Sequence, residues 1–157
     1  MQTATKQLLI YTDGSSRGNP GKGGYGIVLI WGNQQKEISA GYRLTTNNRM
    51  ELLAVIVAIE TLKKRDMPIK VFTDSRYIVD AVTKGWLNTW VKTNFKGGKK
   101  NPDLWMRYYQ LTKGLNIQFE WVKGHADNVY NNRCDVLATT AADGNNLLID
   151  SGYEAGL

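Results

Sequence analysis

The sequence predicts an α/β protein built on a mixed β-sheet. Three strand-like runs separated by short turns open the chain. A long apolar helical stretch then leads through Pro68 into another strand-like run, and a last such run precedes a final amphipathic helix. An antiparallel meander followed by a strand-helix-strand connection needs both kinds of pairing in one sheet.

The opening runs are Gln7 to Thr12, Gly24 to Trp31 and Glu37 to Tyr42, each rich in strand formers and bounded by glycine or Asn/Gln-rich turns. Thr46 can cap a helix running to about Lys64. Met50, Leu53, Ala54, Val57 and Ala58 recur at helical spacing, while Leu52, Val55, Ile56 and Ile59 widen the apolar stripe far beyond one face. Such a helix is largely buried. After Pro68, Ile69 to Thr73 reads as a strand. Ser75 to Thr83 carries Ile78, Val79 and Val82 at helical spacing, a lysine-rich segment follows, and Asp103 to Lys113 is another amphipathic helix. Ile117 to Val122 makes a fifth strand. Asp127 or Asn128 can cap a last helix with Cys134, Leu137, Ala138 and Ala141 inward and Gly144 as its stop. The tail from Asn145 is expected to be partly ordered at best.

A chain of 157 residues with 42% hydrophobic content fits one compact domain, residues 1–157, able to bury a core without disulfides or a structural metal. The lone Cys134 cannot form an internal disulfide. With no signal-like apolar start and no apolar run of bilayer length, the expectation is a cytoplasmic protein without membrane contact.

Net charge is +6 and the sequence pI about 9.4. The positive residues cluster: no acidic residue occurs from Ala81 to Pro102, where Lys84, Lys92, Lys96, Lys99 and Lys100 gather around Trp86, Trp90 and Phe95. Lysines neutralise phosphates and aromatic rings pack on sugars and bases, so one reading is a nucleic-acid groove. The i, i+4 spacing of Trp86 and Trp90 equally suits two anchors of a short helix on the core.

Asp13 in YTDGS and Asp74 in FTDSRY each end a β-branched or aromatic run, where a strand would stop. Glu51 in TTNNRMEL and Asp135 in NNRCDVLA fall in the opening turns of apparent helices. Alone, Asp13-Gly14 reads as a turn and Asp74-Ser75 as a helix cap. Together the four can converge at one sheet edge as a split carboxylate site for hard divalent cations such as Mg²⁺. Two such ions about 3.5 to 4 Å apart can support phosphodiester hydrolysis. One cysteine and one histidine cannot build a structural zinc site. Gly21, Gly23 and Gly26 fit GxGxxG, but a strand and not a helix follows them, so they are read as turn and close-approach residues and no nucleotide cofactor is assigned. His125, the single imidazole, lies ten residues before Asp135 and suits proton transfer beside carboxylates. Cys134 reads as a core thiol.

The segments YTDGSSRGNPGKGGYG, TTNNRMEL, TDSRY and WVKGHADNVYNNRCDVLA, in this order and spacing, closely resemble type 1 ribonuclease H of the bacterial kind. The resemblance spans nearly the whole chain, with the lysine-rich segment matching that family's basic protrusion. It implies the ribonuclease H fold, a five-stranded mixed sheet with helices on both sides. It further implies that Asp13, Glu51, Asp74 and Asp135 bind two Mg²⁺ ions, for which Mn²⁺ can substitute, with Asp13 bridging both and His125 a mobile auxiliary near the scissile phosphate. The implied substrate is an RNA/DNA hybrid whose RNA strand is cut internally, leaving 5′-phosphate and 3′-hydroxyl ends. Ser16, Asn19, Asn47, Asn48 and Ser75 match residues that contact 2′-hydroxyls, while Lys84, Trp86, Trp90, Lys92, Lys96, Lys99 and Lys100 would grip the DNA strand. A monomer is expected, and no obligate protein partner is implied.

Two positions depart from the bacterial pattern. Arg76 stands where a glutamine commonly contacts the minor groove. Leu44 stands two residues before Thr46 where an arginine is frequent, with Arg43 one place earlier, so a DNA phosphate pocket rests on Thr46 and Asn19 with a different or missing cation. Rival readings are a non-catalytic module binding hybrid or double-stranded RNA, and a DNA-directed nuclease of the same superfold. Retaining four carboxylates disfavours a pure polyanion binder.

Overall fold

The computed structural model describes residues 6–123 and 128–156. Strands β1 (Leu8–Arg17), β2 (Gly21–Trp31) and β3 (Gln34–Thr45) form the antiparallel meander, and helix α1 (Asn47–Glu60) follows. Next come β4 (Ile69–Thr73), α2 (Arg76–Thr83), α3 (Trp86–Lys92), α4 (Pro102–Leu111) and β5 (Ile117–Trp121). Helix α5 (Val129–Ala142), β6 (Leu147–Leu148) and α6 (Ser151–Glu154) complete the described chain. The strand order is β5-β4-β1-β2-β3-β6, with β4 parallel to both β1 and β5. The expected mixed sheet is therefore present.

It has six strands where five were expected. The sixth is the two-residue β6, parallel to β3 through Gly41 and Leu148's partner Tyr42. The segment from Asn145, where partial order at best was expected, also carries α6. What holds it is a buried ionic knot: Asp150 accepts from Arg49 at 2.8 and 2.9 Å and from Thr45 at 2.7 Å. Arg49 itself is 3% exposed and also donates to Asp103 at 2.8 and 2.7 Å, so the tail and α4 are both tied to the first turn of α1.

Strand alternation divides the core. Leu8, Ile10 and Ile27 pack with Met50, Leu53 and Ile56 of α1, while Tyr11 and Val28 pack with Cys134 of α5 on the other face. Helices thus cover both sides of the sheet. Thr46 caps α1 as expected, its hydroxyl accepting from the Arg49 N–H at 3.3 Å. The helix ends at Glu60, short of Lys64: the Leu62 N–H closes a tighter turn on the Ile59 carbonyl at 3.1 Å, and the Arg65 side chain donates to the Ile59 and Glu60 carbonyls. Helix α4 stops at Leu111 and not Lys113. Asn128 caps α5, accepting from Tyr130 and Asn131 at 3.0 Å, while the alternative cap Asp127 lies outside the described residues. Among the described residues no helix is long and apolar enough to cross a membrane.

Strand β1 runs five residues past the expected end at Thr12, and β2 begins at Gly21 in place of Gly24. The glycines read partly as turn residues are mostly in-strand close approaches. At Gly26 a Cβ would overlap the Cys134 carbonyl, so α5 lies directly on β2.

Candidate active site

Asp13 does not end β1 but sits within it, opposite Gly26 on β2. What ends near Asp13 is the other pairing: β1 and β4 run together only from Leu8/Ile69 to Tyr11/Phe72. Beyond that register the two strands part, and Asp13 on one and Asp74, just past β4, face a shared opening. Glu51 arrives from α1. It can do so because Gly14 has no side chain, and the Gly14 N–H donates to the Glu51 carboxylate.

Carboxylate oxygens of Asp13, Glu51 and Asp74 all lie within 4.8 Å of one another. Asp135 from α5 lines the same cleft, a cavity of about 420 Å³. Helix α5 is seated for this by an aromatic column, Phe72, Tyr11 and Tyr130, with centroid spacings of 4.4 and 4.9 Å. The Cys134 thiol, donating to the Tyr11 carbonyl at 3.2 Å, adds to the same seat and is buried, as a core thiol should be.

Crowding four acids has an electrostatic consequence. Burial pushes the Asp13 carboxyl up to about 7; its hydrogen bond with Glu51 opposes the rise, and the charges of Asp74 and Asp135 add to it. Glu51 is also held well above the carboxylate range, by burial first and by Asp13 second. Such a cluster holds a proton near neutrality unless a cation replaces it. All-oxygen donors on four chain segments suit a hard divalent ion, so the residues present fit the metal that the sequence suggests.

Around the acids the cleft is lined by Ser15, Asn47, Asn48, Ser75 and Arg76. Ser16 and Asn19 do not line it. Alternation puts Ser15 on the Asp13 face, and Asn19 instead accepts from the Asn47 N–H at 3.1 Å, bracing the start of α1. Ser75 caps α2 by accepting from Ile78 at 3.3 Å. Arg43 does not line the cleft and is paired with Glu154 of α6 at 2.9 and 2.7 Å. Lys123, Asn131 and Asn132 also line the cleft, beyond the site residues expected from the sequence; the two asparagines follow the Asn128 cap by three and four residues, a local signal that puts them on the opening turns of α5 with Asp135. His125 lies outside the described residues.

The lysine-rich segment resolves its two tryptophans differently. Trp90 is partly buried, edge-on to the fully buried Trp105 at 5.9 Å. Trp86 is 44% exposed, with the Lys84 ammonium 5.4 Å from its ring. One is a core anchor and the other faces solvent, while Lys92, Lys96, Lys99 and Lys100 are exposed.

The RNase H family model matches residues 5–143. The chain belongs to the RNase H family. Ribonuclease H of Rippkaea orientalis is 51% identical over 98% of this chain and 96% of its own length. Ribonuclease HI of a Synechocystis strain is 43% identical over 98% of both. Among solved structures, LC9-RNase H1, a type 1 RNase H with the type 2 active-site motif, superposes with a TM-score of 0.81 at 32% identity, covering 99% of this chain and 82% of that one. LC11-RNase H1 in complex with an RNA/DNA hybrid gives 0.67 at 27% identity, covering 87% and 96%. As an RNase H the protein is a nuclease, a hydrolase of phosphodiester bonds, and the ribonuclease H fold expected for it is the one observed.

Proposed function

We propose that this RNase H cuts the RNA strand of RNA/DNA hybrids internally, with Asp13, Glu51, Asp74 and Asp135 holding two divalent cations, Mg²⁺ in the first instance. The observation that carries the reading is the convergence of Asp13, Glu51 and Asp74 within 4.8 Å in a cleft that Asp135 also lines. The hybrid bound by the related LC11-RNase H1 supports the substrate class. When bound, the ions supply an activated water and neutralise charge on the departing oxygen.

The protein's own groups do the rest. The Gly14 N–H fixes Glu51, the short β1–β4 pairing leaves room for the scissile phosphate, and the aromatic column sets the reach of Asp135. Asn47, Asn48 and Ser15 offer donors and acceptors beside the carboxylates, suited to 2′-hydroxyls, which are what distinguish RNA from DNA. Trp86, Lys84, Lys92, Lys96, Lys99 and Lys100 give a sequence-independent grip on the second strand. Water's oxygen bonds to phosphorus and gives up a proton as the bond to the 3′-oxygen breaks and that oxygen takes up a proton, leaving a 5′-phosphate and a 3′-hydroxyl; His125 would carry a proton at this step.

The test is a panel: one labelled RNA strand, paired to DNA, paired to RNA or single, beside a matching DNA duplex, in Mg²⁺ and in chelator. Metal-dependent cutting confined to the hybrid is expected. Cutting of the DNA duplex would move the assignment to a DNA-directed nuclease, and binding without cutting to a binding module.

A further inference from the structure

Arg76 opens α2, immediately after the Ser75 cap, and lines the carboxylate cleft. Its guanidinium lies over the Trp121 ring, 4.1 Å from the centroid. That indole is itself fixed, donating Nε1–H to the Asp74 carbonyl at 3.1 Å, and Trp121 stands opposite Thr73 in the β4–β5 register. The cation is thus held on a platform bound to the backbone of a proposed metal ligand.

The donors of Arg76 are unusual for this chain. Arg17, Arg43, Arg49, Arg107 and Arg133 each fork onto a carboxylate, and Arg65 donates to the Ile59 and Glu60 carbonyls. Among the described residues Arg76 has no acceptor. A cation at a helix N-terminus is opposed by the helix dipole, so the position is not one that helix stability selects. A planar fork of five N–H groups held still on an aromatic face matches two oxygens of a phosphate.

We propose that Arg76, held by Trp121, clamps a backbone phosphate of the bound nucleic acid beside the carboxylates. The clamp supplies one charge-dependent contact where the acids repel the polyanion. A glutamine at this place is neutral and suits base edges, whereas arginine couples binding here to ionic strength. The inference rests on the hybrid-nuclease reading.

The experiment measures binding without cutting: fluorescence anisotropy of a labelled RNA/DNA hybrid in chelator, from about 50 to 200 mM salt. Arg76→Gln is expected to weaken binding about 3- to 10-fold at the low end and to reduce the slope of log Kd on log salt by about one, the signature of one lost phosphate contact. Arg76→Lys is expected to restore the slope, and Trp121→Ala to weaken binding severalfold with the slope kept. An unchanged slope in Arg76→Gln overturns the clamp, and a change that depends on base sequence but not salt assigns Arg76 to base edges instead. A wild-type protein that binds hybrid but never cuts it overturns the nuclease reading alone, because the salt slope still judges the clamp.

Discussion

Gly14 and Glu51 meet through the backbone: the Gly14 N–H donates to the Glu51 carboxylate, and a Cβ at position 14 would overlap the Glu51 backbone nitrogen. The same close approach lets α1 deliver a carboxylate to the cleft and aims it once there. Gly14→Ala must push α1 off β1. The expected result is a loss of about 1–3 kcal/mol in urea unfolding, together with cleavage reduced by at least tenfold, since Glu51 moves with its helix.

Asp13 gives the metal-free protein a distinct pH response. Its carboxyl is raised by burial to about 7 from an ordinary value of 3.8, so between those limits the folded state binds more protons than the unfolded one. Stability therefore falls as pH rises from about 4 to about 7, and the contribution is gone above the folded value. Asp13→Asn is expected to be more stable than wild type at pH 8 in chelator, by an amount on the order of 1–3 kcal/mol. Thermal unfolding across that range checks it; added Mg²⁺ is expected to raise the wild-type midpoint far more than that of Asp13→Asn.

Arg49 carries the opposite pH signature. Burial alone would raise the Asp150 carboxyl, but hydrogen bonds from Arg49 and Thr45 bring it below its ordinary value, and those from Arg49 lower Asp103. This contribution is present above the unfolded value and is lost as pH falls through the folded ones. Arg49→Ala leaves Asp150 buried without its cation and is expected to cost about 3–5 kcal/mol at pH 7, with the deficit shrinking in acid. Urea midpoints at pH 7 and pH 3 decide the matter.

Trp90 and Trp86 should separate folding from binding. Trp90→Ala removes a ring packed on Trp105 and is expected to cost about 3 kcal/mol in stability. Trp86→Ala, at an exposed site, is expected to shift stability by no more than about 0.5 kcal/mol while weakening hybrid affinity by about 1–3 kcal/mol. Denaturation and anisotropy on both variants test the division.

Much of this was legible in the sequence because it is written locally. Thr46 announces α1, Asn128 is one of two residues that can cap α5, and the apolar excess around Leu52 and Ile56 foretells burial on more than one side. Four acids in unusual settings pointed to a cleft, which the structure shows they line. What was hidden depends on distant partners. Residues Asp13 to Arg17 lack strand formers, and Asp13-Gly14 alone reads as a turn, yet pairing with the glycine-rich start of β2 keeps them extended. Arg49 needs Asp103 and Asp150, more than fifty and a hundred residues away, before it becomes a buried anchor that orders the tail. The Arg76–Trp121 platform likewise joins a helix start to the end of a strand that follows two further helices.

Cleavage of a labelled RNA/DNA hybrid in Mg²⁺ by wild type and Asp13→Asn, with hybrid affinity measured on the same samples, decides whether the carboxylate cluster does the chemistry. Cleavage is expected to fall to background in the variant with affinity kept or improved, because a proposed ligand to the ions is gone while the charge facing the phosphates has become less negative. Undiminished turnover by Asp13→Asn would remove the carboxylate cluster from the chemistry.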